Sequence, residues 1–124
     1  TIIMPIFIPG NVPSSKNSKR WTGKMLINSK TTMKYISKSK GDYLINKVKF
    51  KKLLKGKSKP YKISFKFIRG TKHKFDYINP CQTVQDLMVK NSWIDDDNCE
   101  EIIPIFEKYE YNKEKPGVII SVLK

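Results

Sequence analysis

Positive charge is gathered into one part of this chain so strongly that it dictates where those residues can sit. Residues 1–75 hold 20 Lys and Arg against a single acid, Asp42, a balance of +19, whereas residues 76–124 hold 5 Lys against 10 acids, a balance of −5. Like charges in that number cannot be paired within their own half, so most of them are expected on a solvated face while the apolar residues between them supply the core. The same division leaves a cationic surface beside an acidic segment, which suits a polyanion-binding face built around a pocket that holds cations. A lysine-favouring composition gives the same total. Only Arg20 and Arg69 of the 25 basic residues are arginine, which argues against bidentate reading of bases.

A chain of 124 residues has room for one domain, residues 1–124, around one modest core. Its apolar fraction of 39% is that of a folded protein and too high for a disordered tail. No apolar run approaches the ~20 residues that span a bilayer. No membrane association and a cytoplasmic location are therefore expected. Cys81 and Cys99 have no close-spaced partners for zinc and read as reduced thiols.

Residues 2–8 read as a strand ending at the Pro9-Gly10 turn, followed by a polar loop over residues 11–21. In that loop Lys16, Asn17, Lys19 and Arg20 suit phosphate oxygens, and Trp21 suits an exposed base. Residues 25–27 form a short strand. Ser29, Thr31 or Thr32 caps a helix running to about Phe50, with Met33, Ile36, Tyr43, Leu44 and Val48 inward and Gly41 as a kink or break. Residues 61–68 alternate, with Ile63, Phe65 and Phe67 towards the core and the other face wet or against DNA. Asn79 at the cap and Pro80 in the first turn open a second helix over residues 80–91, and strands over residues 101–111 and 118–123 complete the chain. The expected fold is α+β: a small mixed sheet with two helices against it.

Candidate chemistry lies in the acidic half. Gln82 and Asp86 are four apart and share a helix face, Asp76 and Asn79 stand at the helix mouth, and Asp95-Asp96-Asp97-Asn98 follows the helix. Three adjacent carboxylates repel unless solvated or shared with a cation. Oxygen ligands from two segments, with no His or Cys cluster, suit Mg²⁺ or Mn²⁺ rather than zinc. The plainer reading of the acidic run is a solvated loop or a helix cap. His73, alone in a lysine-rich loop with Lys72 and Lys74, reads as a phosphate neighbour or as nothing.

These residues carry a resemblance. Asp76-Tyr77-Ile78-Asn79-Pro80-Cys81-Gln82, then Asp86-Leu87, then Trp93-Ile94-Asp95-Asp96-Asp97-Asn98 is similar to the motif of the RusA family of Holliday-junction resolvases. The early Ile8-Pro9-Gly10-Asn11-Val12-Pro13-Ser14-Ser15-Lys16-Asn17 stretch is similar to that family's first strand and loop. The resemblance implies a RusA-like fold and a homodimer that resolves Holliday junctions or other branched DNA by paired nicks, of a phage type acting in recombination or repair. It further implies catalytic acids Asp76, Asp86, Asp96 and Asp97, with Mg²⁺ (Mn²⁺ substituting) held by Asp76, Asp96 and Asp97. Asn79 and Gln82 would support them, and Lys16, Asn17, Lys19, Arg20, Lys72 and Lys74 would hold DNA. Ile78 and Gln82 depart from the family pattern, standing where it has a second aspartate and a lysine. Asp86, Asp95 or Asp96 would then complete the metal shell, and Lys72, Lys74 or Lys90 would replace the lysine. The alternative is a catalytically impaired protein of the same fold that binds branched or single-stranded DNA.

Overall fold

The computed structural model describes residues 4–14, 19–21 and 26–124. Its elements are β1 (Ile6–Pro9), β2 (Lys19–Trp21), β3 (Leu26–Asn28), α1 (Lys30–Ile45), α2 (Lys47–Leu53), β4 (Tyr61–Arg69), α3 (Ile78–Lys90), β5 (Ile102–Phe106), β6 (Glu110–Tyr111) and β7 (Gly117–Val122). The fold is a mixed α+β arrangement. One sheet runs β1-β7-β4-β5 with β6 also on β4, and β2 and β3 pair separately. Among the described residues no helix is long and apolar enough to cross a membrane.

β4 is parallel to β5 and β6 but antiparallel to β7, which is in turn antiparallel to β1. A parallel neighbour cannot be reached by a hairpin, so the chain crosses over between β4 and β5, and α3 is that crossover. This connection places the start of α3 just beyond the carboxyl end of the central strand, the usual side for ligands in such sheets. The helices and the 93–94 segment cover one face of the sheet. Ile6, Ile8, Ile63, Phe65, Phe67, Val118 and Ile120 from the sheet meet Tyr43, Phe50, Val84, Met88 and Trp93 in one apolar cluster.

Several boundaries and faces differ from expectation, each for a local reason. The 29–50 helix breaks at Asn46 rather than at Gly41. Asn46 turns both its side-chain amide and its backbone N–H onto the Asp42 carbonyl, at 2.8 and 3.1 Å, whereas Gly41 costs only helix propensity and stays inside α1. Ser29 is the cap, accepting from the Thr32 N–H at 3.2 Å. The buried line of α1 is Thr32, Tyr35, Ser39 and Tyr43; of the residues expected inward Tyr43 is buried and Ile36 packs on the core, whereas Met33 and Leu44, with Val48 of α2, face outward at 50, 62 and 64% exposure. Polar groups occupy that line because each is satisfied there: Ser39 donates to the Tyr35 carbonyl at 2.7 Å, and the two tyrosine hydroxyls meet at 3.0 Å. Burial pushes the Tyr35 hydroxyl up to about 12, the Tyr43 contact opposing it.

The strand expected over residues 101–111 is two strands, β5 and β6, both on the same edge of β4. Pro104 is tolerated within β5 because an edge strand can lack a donor. The second face of β4 is wet only in part, at Lys62, which is exposed, and at Lys66. Ser64 is buried there and donates to Glu107 at 3.1 Å, Lys66 pairs with Glu110 at 3.4 Å, and Ile68 is buried.

α3 ends in a left-handed cap. The Ser92 N–H donates to the Val89 carbonyl at 3.0 Å and the Trp93 N–H to the Met88 carbonyl at 2.8 Å, with Ser92 at φ 61°. A Cβ is disfavoured there, so Ser92→Gly is expected to stabilise the fold by about 0.5–1 kcal/mol, read as a higher urea midpoint with unchanged slope. An unchanged or lower midpoint would refute the strain argument.

Cys81 and Cys99 are both free thiols, the first buried and the second exposed. Burial pushes the Cys81 thiol up to about 12, with the Asp97 charge adding to it. At pH 8 a thiol so shifted is ionised in only about one molecule in 10⁴. One thiol per chain is therefore expected to react promptly with Ellman's reagent, the second only in denaturant.

Candidate functional site

The acidic half is laid along α3. That helix starts at Ile78, one residue before the expected cap, with Tyr77 preceding it in helical geometry and making no side-chain capping bond. Asn79 and Pro80 therefore both lie inside the first turn, where the missing proline N–H is one that has no helical acceptor anyway. The Asn79 N–H donates to the Asp76 carbonyl at 3.1 Å, tying the aspartate backbone to the helix start. Asp76 is exposed and lines a cleft of about 550 Å³ with Ser14, Lys74, Tyr77, Asn79 and Tyr109.

One turn further on, Gln82 joins two acids from separate segments. Its side-chain amide donates to Asp86 Oδ1 at 2.8 Å and lies 3.3 Å from Asp97 Oδ2. Gln82 and Asp86 are exposed, whereas Asp97 is half-buried. The expected shared face of Gln82 and Asp86 is thus realised, and the acidic loop reaches it through Asp97. Proximity to the helix is also evident at Cys81, whose thiol feels the Asp97 charge.

The other acids of the run turn elsewhere. Asp96 Oδ1 accepts from the Asp97 N–H at 2.9 Å and Asp96 Oδ2 from the Asn98 side-chain amide at 2.8 Å. The backbone donor, then Asn98, holds the Asp96 carboxyl below its ordinary range. Asp95 pairs with Lys59 at 3.0 Å, and that lysine also lies 2.6 Å from Glu101. The hydrogen bond from Lys59 lowers the Asp95 carboxyl in the same way. Asp95 therefore belongs to a surface ion cluster at the foot of β4, and the local-turn reading fits Asp96.

The loop is positioned from behind by Trp93. Its indole N–H donates to the Tyr43 carbonyl at 2.8 Å, and its ring stacks on Phe50 with centroids 4.9 Å apart. Tyr43 lies in the last turn of α1, whose carbonyls lack helical donors, so the indole closes one of them.

Of the expected DNA-binding residues, Lys16 and Asn17 lie outside the described residues, and for Lys19 and Arg20 only the backbone course in β2 is described. Lys74 stands beside Asp76 in the cleft, while the Lys72 ammonium lies 5.0 Å from the Tyr111 ring centre. Lys90 faces the groove between α1 and α3, near Met33 and Leu87, and so is not gathered with Gln82. The reading by residue type missed the aromatic wall of the Asp76 cleft. Phe75, Tyr77 and Tyr109 pack edge to face at 5.2 Å, and the Tyr77 hydroxyl accepts from the Tyr109 N–H at 3.1 Å. It also missed Arg69, although strand parity puts this residue on the face of Ile63, Phe65 and Phe67.

Among the described residues no three His, Cys, Asp or Glu side chains are grouped as a metal site. The donor set at Gln82 nonetheless fits a hard cation. Two carboxylates converge on a neutral amide, and a half-turn of that amide presents its oxygen in place of its nitrogen. No family model matches the chain, and no curated protein matches it.

Proposed function

We propose that this chain is a metal-dependent endonuclease for branched DNA, acting in the cytoplasm and nicking opposed strands as a homodimer. The observation that carries this reading is the convergence of Asp86 and Asp97 on Gln82, on the exposed side of α3, in a chain whose first 75 residues have a charge of +19. Bare carboxylates repel a DNA backbone. The cationic half holds the duplex near, and Asp86, Asp97 and the Gln82 oxygen would hold a divalent ion that offsets the acids. When bound, such an ion supplies a more acidic water and charge neutralisation at a phosphodiester. Asp76 with Asn79 at the start of α3 and Lys74 beside them in the cleft then orient the scissile strand. The outward Leu44, Ile45 and Val48 give an apolar strip of the kind a second copy covers.

A second reading, a branched-DNA binder without cleavage, is favoured by one observation. The amide at position 82 brings no positive charge to the pair of acids. A labelled four-way junction incubated with Mg²⁺, with Mn²⁺ and with EDTA separates the two, with linear duplex of the same sequence as control. Paired, metal-dependent nicks in the junction alone are expected. Tight, salt-sensitive binding without cutting under either metal would sink the nuclease reading and leave the binder.

A further inference from the structure

Arg69 ends β4 as a residue only 4% exposed, yet among the described residues it forms no ion pair. Its guanidinium donates to two neutral oxygens, the Val12 carbonyl and, at 2.9 Å, Ser14 Oγ, and lies 4.8 Å from the Phe75 ring centre. Of its three other N–H donors, the one on Nε is buried without an acceptor. Desolvation without a carboxylate to offset it lowers the guanidinium from its ordinary value. A buried, permanently charged group left with an open N–H is destabilising unless an anion completes it.

The surroundings supply a place for that anion. Arg69 lines an open cleft of about 340 Å³ with Ser29, Thr31, Thr71 and His73. Ser29 caps the 16-residue α1 and satisfies the Thr32 N–H, so the amides ahead of it remain the donors that begin any helix, at its positive end. Ser14 lies on this cleft and also on the one holding Asp76, so the two are neighbours. Two independent features thus converge on one anion: an uncompensated buried guanidinium and the start of a long helix.

We propose that this cleft is a phosphate site that grips one backbone phosphodiester of the nucleic acid, beside the Asp76 cleft. Arg69 and the first turn of α1 donate to the phosphate, and Thr71 and His73 close its rim. The choice of nucleic acid as the phosphate source rests on the function proposed above.

The test begins with the intact chain labelled with ¹⁵N and titrated with inorganic phosphate against sodium chloride at matched ionic strength. The Arg69 Nε–H and Thr31 amide signals are expected to move saturably with phosphate and not with chloride. Arg69→Gln removes the positive charge but also two bonds that hold the 12–14 segment, so the decisive variant is Thr71→Glu at the exposed rim. Its carboxylate supplies an internal counter-ion. It is expected to raise the melting temperature, abolish the phosphate titration and reduce the slope of log junction affinity against log salt by about 0.9 for the phosphate lost.

Arg69 signals that respond to phosphate no more than to chloride overturn the site. A phosphate response with an unchanged junction salt slope in Thr71→Glu overturns the assignment to the DNA backbone. A chain that shows both effects yet cuts no DNA supports this site and removes only the nuclease reading.

Discussion

Asp97→Asn is expected to lower metal-dependent junction cleavage by more than about 100-fold, beyond the 10–100-fold typical of residues that merely stand behind a metal ligand. It should leave folding and junction binding intact. Asp97 is the acid that the 95–97 run brings to α3, and its Oδ2 faces the Gln82 amide at 3.3 Å. Asparagine keeps the volume and one acceptor oxygen, so the half-buried position stays filled and the Gln82 contact can re-form. What it removes is the negative charge on which a divalent ion depends. Neighbouring substitutions sharpen the test, because they are chemically identical and differ only in where the side chain points. Asp95→Asn breaks an exposed pair with Lys59 and should change cleavage little, since such pairs are weak and solvent-screened. Asp86→Asn, on the other side of Gln82, should resemble Asp97→Asn. Equal effects at positions 95 and 97 would show that the run acts as general negative charge, and the Gln82-centred site would have to be abandoned.

Much of this architecture was legible where periodicity and chemistry agree. The alternating residues of β4, the helix carrying Gln82 and Asp86, and a cap at Ser29, one of three candidates, all follow from local rules that tertiary packing did not overturn. The misreading of the α1 face has a definite cause. Counting apolar side chains along the expected helix selects Met33, Ile36, Tyr43, Leu44 and Val48, of which Tyr43 is buried and Ile36 packs on the core, but the rest of the buried line is Thr32, Tyr35 and Ser39, whose polar atoms find partners within the helix or on each other. Burial there depends on satisfied hydrogen bonds, and those are not visible in a hydrophobicity pattern.

The candidate site was legible as a set of residue types, but not in its pairing. Nothing in Asp95-Asp96-Asp97 indicates that the first acid turns to Lys59, the second to its own loop and the third to Gln82. Long-range geometry decides that, through the return of the loop along α3. Arg69 is a different case. Its parity on β4 marks it for burial, but a period-two rule applied only to apolar residues passes over it.

Trp93→Ala is expected to destabilise the fold by about 3–5 kcal/mol, the range for removing a large buried aromatic, and to suppress cleavage even where the variant remains folded. Trp93 is fully buried, stacks on Phe50 of α2 and packs at 5.5 Å from the Tyr43 ring of α1. Its loss opens a cavity between both helices and the sheet, and it strands the Tyr43 carbonyl that its indole N–H had closed. The same side chain fixes the path of the segment from the left-handed Ser92 to Asp97, so the acid loses its register against Gln82. Trp93→Phe separates the two contributions. It keeps most of the stacking area and removes only the indole donor, so about 1–3 kcal/mol is expected for the unsatisfied carbonyl. Urea unfolding of both variants, with junction cleavage measured well below the unfolding midpoint, reads each effect by itself. If folded Trp93→Ala cuts at the full rate, the loop is held in place by contacts other than the tryptophan. The Asp97–Gln82 approach would then be maintained from the helix side, through Asp86 and Gln82 alone.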